Sequence, residues 1–302
     1  MDLSSKIKVA VLRGGLSSEY DVSLQTGAHV LSILRQLEDK YEPVDVFVSK
    51  DGEWHQEGLV EEPHHILKYI DIVWNALHGK SGEDGQVQRV LEGLKIPFTG
   101  SSAVASALSM DKDMTKHLYR RHNLLTPEHE LITEDTFGED QLINIFRKYP
   151  HPVIVKPANG GSSIGVCLAH TFKELKEIVK QALKDSKRVI VEELIRGKEA
   201  TCVVVEKAKG ERIYALLPSS KSARLSTEEN KQIEEIAKQA HEILGLRHYS
   251  SSDFIITPRK KVYILETDSL PALHEGSLVH DSLQATGWHS RDFVNHVLEL
   301  VM

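Results

Sequence analysis

Two stretches of this 302-residue chain carry side chains whose types and spacing can do chemistry. The first covers residues 152–165, PVIVKPANGGSSIG. Val153, Ile154 and Val155 read as a short apolar strand ending in Lys156 and Pro157, and Asn159, Gly160, Gly161, Ser162, Ser163 and Gly165 follow at once. Glycines let the backbone approach a polyanion closely, serine hydroxyls add donors, and the lysine supplies a full positive charge. A phosphate group suits such a loop. The loop matches neither GxxxxGK(S/T) nor GxGxxG, so neither of those folds is indicated, and a plain glycine–serine turn is the alternative reading.

The second stretch, residues 248–278, reads as a hairpin with Asp253 on one strand, Glu266 at the end of the other, and Asp268 two residues further on. Residues i and i+2 of a strand face one side, so Glu266 and Asp268 converge while Asp253 comes across from the partner strand. Three carboxylates at one spot repel, and in a partly buried site each carries a heavy desolvation cost. Either they are well exposed or a hard divalent cation sits among them. With a phosphate loop in the same chain, magnesium bridging to a nucleotide is the better account.

These groups need elements to hold them. Residues 8–12 (KVAVL) form a buried strand that turns through Gly14 and Gly15 into a helix with apolar positions Val22, Leu24, Val30 and Leu31. This is the opening of an open α/β sheet, where ligands collect at the carboxyl ends of strands. Glu19 lies at the helix entrance, as a ligand or as a carboxylate complementing the helix N-terminus. Strands are expected at 43–49, at 70–76 and, shortest, at 96–100. The loop after the second of these carries His78, Gly79, Gly82, Glu83, Asp84 and Gly85; His78 is either functional or satisfied by a carbonyl. Ser101 or Ser102 caps a helix bearing Lys112 and Lys116 one turn apart, a spacing that reads as a solvated face. Helices follow at 139–148 and 171–187. An apolar run with Glu192 and Glu193 then leads to a strand beginning near Glu199; such a hinge leaves backbone groups for a purine edge, or these are surface charges. Ser226 or Thr227 with Glu229 starts a capped helix that ends at Gly245. The fold class is α/β, passing to α+β in the C-terminal half, with units at 1–100, 101–190 and 191–302.

A net charge of -7 argues against nonspecific nucleic-acid binding. Apolar runs are only a few residues long and the start of the chain has no signal-peptide core, so a cytoplasmic protein without membrane contact is expected. Cys167 and Cys202 read as reduced core thiols, and neither HExxH nor a Cys/His cluster occurs.

Taken together, GGLSSEYDVSL, ALHGKSGEDGQVQRVLEGLKIPFTGSSAVASALSMDKDMTK, VIVKPANGGSSIGV, VEELIRGKE and SDFIITPRKKVYILETDSLPALHEGSLV resemble, in order and over essentially the whole chain, the D-alanine–D-alanine ligase family of the ATP-grasp superfamily. The resemblance implies an ATP-grasp fold behind an N-terminal open α/β domain. It implies ATP and Mg2+, with Mn2+ as an alternative ion. Lys112 and Lys156 would hold phosphates, Ser162 and Ser163 would lie on the glycine-rich lid, and Glu192, Glu193, Ile195 and Glu199 would line the adenine and ribose pocket. Asp253, Glu266 and Asp268 would bind the metal. Glu19 would hold the amino group of the first amino acid with His78 beside it, and Ser277 would anchor the carboxylate of the second. Glu19, Ser162, Lys221 and Ser277 are the candidate catalytic residues. The implied reaction phosphorylates one D-alanine carboxylate and lets the amine of a second attack the acyl phosphate, for peptidoglycan precursors. The implied partners are small amino acids and a second copy of the chain in a homodimer.

Four departures from the family pattern stand out. Ser251 replaces an arginine that steadies the tetrahedral intermediate, Asp268 replaces an asparagine metal ligand, and Ala272 replaces a glycine whose N–H serves the oxyanion site. A long loop with a lysine and a tyrosine is reduced to SSKSAR, where Lys221 or Arg224 is the candidate substitute. Loss of one oxyanion donor costs about 10²–10³ in rate. The alternatives are therefore a non-catalytic nucleotide-binding protein and an ATP-grasp ligase for other amino acids. Glu19, His78 and Ser277, which would contact amino acids rather than ATP, favour an enzyme.

Overall fold

The computed structural model describes residues 6–161, 165–220 and 224–302. Ile7–Gly14 (β1), Tyr41–Val48 (β2), Trp54–Gln56 (β3), Leu59–Val60 (β4) and Ile72–Asn75 (β5) form a first sheet in the order β4-β3-β2-β1-β5. β1 runs parallel to both β2 and β5. A central parallel strand is covered on both faces, which is why Val9, Ala10, Val11 and Leu12 form an unbroken apolar run, all fully buried. Chain order passes from β2 on one side of β1 to β5 on the other, so a crevice opens at the carboxyl ends of β1 and β5. The exit from β1 requires glycine: Gly14 has φ +99, and a Cβ there would lie 2.2 Å from the Val48 carbonyl oxygen. Tyr20–Gln36 (α1) follows, and Pro63–Ile66 (α2) and Gln86–Gly93 (α3) complete this part. The strand expected at 96–100 is a single bridge between Val73 and Phe98. Pro97 has no N–H to extend the ladder, and the chain turns away at Gly100.

Ala103–Met110 (α4) and Lys112–Arg121 (α5) replace the one helix expected after Ser102, which does cap α4 by accepting from Ala105 N–H. The break lies at Asp111, whose extended backbone ends α4 and whose carboxylate accepts from Met114 N–H to start α5.

His129–Thr133 (β6), Val153–Pro157 (β7), Cys167–Ala169 (β8) and Arg188–Glu193 (β9) form an antiparallel sheet in the order β6-β9-β7-β8. Glu139–Lys148 (α6) and Phe172–Asp185 (α7) bury Leu142, Ile145, Leu175 and Val179 against it. The boundary expected at 190 falls inside β9. Cys202 is buried as expected, whereas Cys167 is exposed on the edge strand β8.

Lys198–Glu206 (β10), Ile213–Ala215 (β11), Tyr249–Ile256 (β12) and Val262–Asp268 (β13) form a third, antiparallel sheet in the order β11-β10-β12-β13. Thr227–Ile243 (α8) covers it and begins with the expected capping box between Ser226 and Glu229. Residues of α4 and α5 belong to this core: Ala105 and Tyr119 pack with Phe254, Ile264 and Ile233. Leu278–Ala285 (α9) and Ser290–Val301 (α10) return to the first sheet. Phe293, Val294, Val297 and Leu298 of α10 share one core with Val9, Val11 and Trp74 of the first sheet and Tyr249 of the third.

Phe293 is fully buried, with its ring edge-on to Tyr249 and to Trp288. Phe293→Ala should therefore cost about 3–5 kcal/mol in denaturant unfolding, a loss under 1 kcal/mol showing that α10 is dispensable to this core.

Candidate active site

A cavity of about 410 Å³ lies where the carboxyl ends of β1 and β5, the α4–α5 junction, the glycine loop after β7 and one face of β12–β13 meet. Of the residues expected to act, Glu19, His78, Lys112, Asp253, Glu266, Asp268 and Ser277 line it. Lys156, Glu192, Glu193, Ile195 and Glu199 are not on its wall, while Ser162, Ser163 and Lys221 lie outside the described residues. Ser277 reaches it as the N-cap of α9, its hydroxyl accepting from the N–H groups of His274 and His280.

Asp253 and Glu266 are partners across the β12–β13 ladder, and Ser251 faces Asp268 in the same way. Burial pushes the Asp253 carboxyl up to about 6 despite a 2.6 Å hydrogen bond from the Thr201 hydroxyl. Glu266 behaves in the opposite way. Burial would raise it, but Lys112, 3.1 Å away, and Lys156 outweigh burial and hold it below the usual range. Asp268 is raised well above its ordinary value by burial and by Glu83, against a hydrogen bond from Leu270 N–H. It looks toward Glu83 and His78, while Asp253 and Glu266 look toward Lys112. Convergence of all three carboxylates at one point was expected. Among the described residues, however, only Asp113, His117 and His129 bring three such ligand atoms within 4.8 Å of one another. The register shift between Asp253 and Phe254 adds local twist to the hairpin.

The lysines are arranged differently from the solvated face that their spacing suggested. Lys112 and Lys116 are both buried, Lys116 completely. The Lys112 ammonium also donates to the Gly160 carbonyl, and its backbone N–H bonds to Ala158, so the glycine loop is clipped to the start of α5. Arg188 adds a second clip, pairing with Asp111 and, at 2.9 Å, with Asp113. The Glu192 carboxylate lies between two cations, 2.6 Å from Lys156 and 2.9 Å from Lys116. Burial would raise it, and the two lysines together hold it low. Glu192 therefore supports Lys156 from within the sheet rather than presenting its carboxylate to a base. Glu193 accepts from Glu128 N–H at the edge of β6, Ile195 is half-buried in the turn between β9 and β10, and Glu199 is exposed on β10.

Compared with known proteins, this chain matches the family model described as D-ala D-ala ligase N-terminus over residues 8–68 and 59–101, and D-ala D-ala ligase C-terminus over 118–217 and 217–299. The chain belongs to the D-alanine–D-alanine ligase family. D-alanine–D-alanine ligase A of Clostridium perfringens is 32% identical over 310 residues, covering 97% of each chain. The solved D-alanine–D-alanine ligase of Coxiella burnetii superposes with a TM-score of 0.88 at 25% identity, over 98% of this chain and 95% of that one. The Bacillus anthracis D-alanine–D-alanine ligase, solved complexed with ATP, gives 0.82 at 27% identity over 98% and 96%. The fold is ATP-grasp.

Within this member of the D-alanine–D-alanine ligase family, two buried residues of the site escaped the sequence reading. One is Lys116. The other is Glu83, on the cavity wall, whose carboxylate lies 3.1 Å from His78 Nδ1. Burial, then Glu19, drives Glu83 up to about 8, and burial lowers His78, so this contact joins two neutral groups. Thr26 holds the other ring nitrogen at 3.0 Å. Burial likewise raises Glu19, with His78 and Lys112 opposing. A signal for Glu83 was present in its position five residues after His78 in a glycine-hinged loop at a strand end. Of the departures, Ser251, Asp268 and Ala272 all line the cavity.

The Asp113, His117 and His129 group lies off the cavity. Arg120 Nη2 stands 2.5 Å from His129 Nδ1, and a guanidinium can only donate. His129 therefore carries its proton on Nε2 and donates it to Asp113 Oδ1 at 3.0 Å.

A carboxyl raised in the folded state loses protons more readily once unfolded. Stability contributed by protonated Glu83 is thus present at low pH and falls as pH rises toward 8. Glu83→Gln should flatten that part of the pH profile of the melting temperature, and profiles that stay parallel would show Glu83 to be ionised.

Proposed function

We infer that this protein is an ATP-dependent carboxylate–amine ligase that joins two D-alanines. One observation carries the reading. Glu19, His78 and Ser277, suited to an amino acid, share a single cavity wall with Lys112, Asp253 and Glu266, suited to a metal-bound polyphosphate. An ATP-binding module alone has no use for the first group.

Glu19, at the end of β1, receives the ammonium of the first D-alanine, and His78 and Thr26 shape the wall behind it. The hydroxyl of Ser277 and the N-terminus of α9 orient the carboxylate of the second, where the helix dipole favours negative charge. Lys112 and Lys156 neutralise phosphate oxygens. Asp253 and Glu266 supply the hard oxygen donors that fit Mg2+, with Asp268 at the neighbouring His78 edge of the cavity, and the raised Asp253 carboxyl marks a buried acid lacking sufficient positive charge. When bound, the metal offsets the charge of the phosphate groups. One D-alanine carboxylate takes the γ-phosphoryl group, and the amine of the other displaces phosphate from that acyl carbon. The residues of the cavity contribute positioning and charge balance rather than covalent chemistry. Ser251 brings no cation to the tetrahedral intermediate, so turnover rests on the remaining donors.

The same reading places the enzyme in the cytoplasm as a homodimer supplying peptidoglycan precursors. Among the described residues no helix is long and apolar enough to cross a membrane.

ADP release measured with D-alanine, L-alanine, D-serine and D-lactate should respond to D-alanine in the presence of Mg2+; a flat response to D-alanine removes the ligase reading for this substrate. Ser251→Arg should raise turnover, and a fall would mean that the cavity is built for a different acceptor.

A further inference from the structure

Lys116 follows Lys112 by one helical turn on α5, yet it is fully buried and lines no part of the cavity. Its ammonium donates to the Thr126 hydroxyl at 3.0 Å and stands 2.9 Å from Glu192 Oε2. That contact is a fully buried ion pair. The other oxygen, Oε1, is 2.6 Å from Lys156. Glu192 sits on the inner strand β9, opposite His129 of β6 and Ile154 of β7, where the ladder on both sides fixes it.

The charge count of this cluster is informative. Lys156 paired with Glu192 alone would sum to zero and would offer a phosphate little attraction. Lys116 restores a surplus of one positive charge, and it does so from behind the wall, where it cannot itself reach a ligand. Lys156 in turn lies close enough to the cavity for its charge to act on Glu266.

We propose that Lys116 is a positioning residue for nucleotide binding: it holds Glu192 ionised and aimed at Lys156, so that Lys156 faces the polyphosphate with its charge uncancelled. The proposal rests on Lys156 being a phosphate-binding group. Groups facing Lys116 are Glu192 on β9, Lys156 on β7, His129 on β6 and Arg120 on its own helix. Burial lowers the ammonium to about 8, with Glu192 opposing and Lys156 and Arg120 adding to the fall. Lys116 is therefore charged below that pH and neutral above it. The surplus charge, and with it part of the affinity for ATP, is present at pH 7 and lost by pH 9.

Calorimetric titration of the full chain with ATP and Mg2+ tests this. Lys116→Met should weaken ATP binding by about tenfold, as for truncation of one partner in a buried charge cluster, with a smaller change in turnover at saturating ATP. The parent should bind ATP progressively less well from pH 7 to 9, and Lys116→Met should show a smaller step, the remainder belonging to Glu83 on the cavity wall. If Lys156→Ala leaves affinity unchanged, the phosphate-binding reading itself fails. If Lys156→Ala binds weakly while Lys116→Met matches the parent in affinity and pH profile, only the present inference fails. Should Lys116→Met not fold, Lys116→Gln takes its place, and an ATP affinity equal to the parent's overturns the proposal.

Discussion

Burial of charge is the constraint on which this cavity depends. Glu19, Glu83, Asp253, Glu266 and Asp268 all line it, and each carboxylate taken from water carries a desolvation cost. The protein meets that cost in two ways. Where a lysine is in reach, as for Glu266 with Lys112 and Glu192 with Lys156 and Lys116, the acid stays ionised at lower pH than usual. Where burial outweighs the nearest cation, as for Glu83 against Lys112 and for Asp268 against His78, the protonated form is favoured. The cavity thus has a cationic edge near the glycine loop and a proton-holding edge near His78.

Three sheets contribute to this polarity without any one of them containing it. The first sheet supplies Glu19, at the N-cap of α1 after β1, and His78 from the loop after β5, and the β12–β13 ladder supplies Asp253 and Glu266. The middle sheet supplies Lys156 and the glycine loop. Helix α5 joins them: its outer core residues belong to the third sheet, while Lys112 and Lys116 reach the second. Asp111, at the break before α5, binds Arg188 and forms a bridge with Asn159, so the helix start and the loop base move as a unit.

Local signals made much of this legible in the sequence. The strand–glycine–helix opening, the Ser226–Glu229 capping box and the pairing of Asp253 with Glu266 all follow from period and turn chemistry over a few residues. Other features depend on partners distant in the chain. Two lysines one turn apart on a charged helix read as exterior, and only the approach of β9 makes Lys116 interior. The register shift beside Asp253 leaves no mark in composition, so the different outlooks of Asp253 and Asp268 could not be anticipated. Pro97 was a visible reason to reduce the strand at 96–100, and Asp111 before Lys112 was a visible cap that the continuous helix reading passed over.

The return of α10 to the first sheet bears on how the chain is made. Val9, Val11 and Trp74 leave the ribosome roughly 200 residues or more before Phe293 to Leu298, which complete their core. Until then one face of the parallel sheet lacks its natural cover, and exposed apolar surface on an incomplete domain invites association with other chains. Synthesis halted shortly before residue 290 would yield nearly the whole cavity on a scaffold with its first core open, making such fragments clients for chaperones rather than slow enzymes.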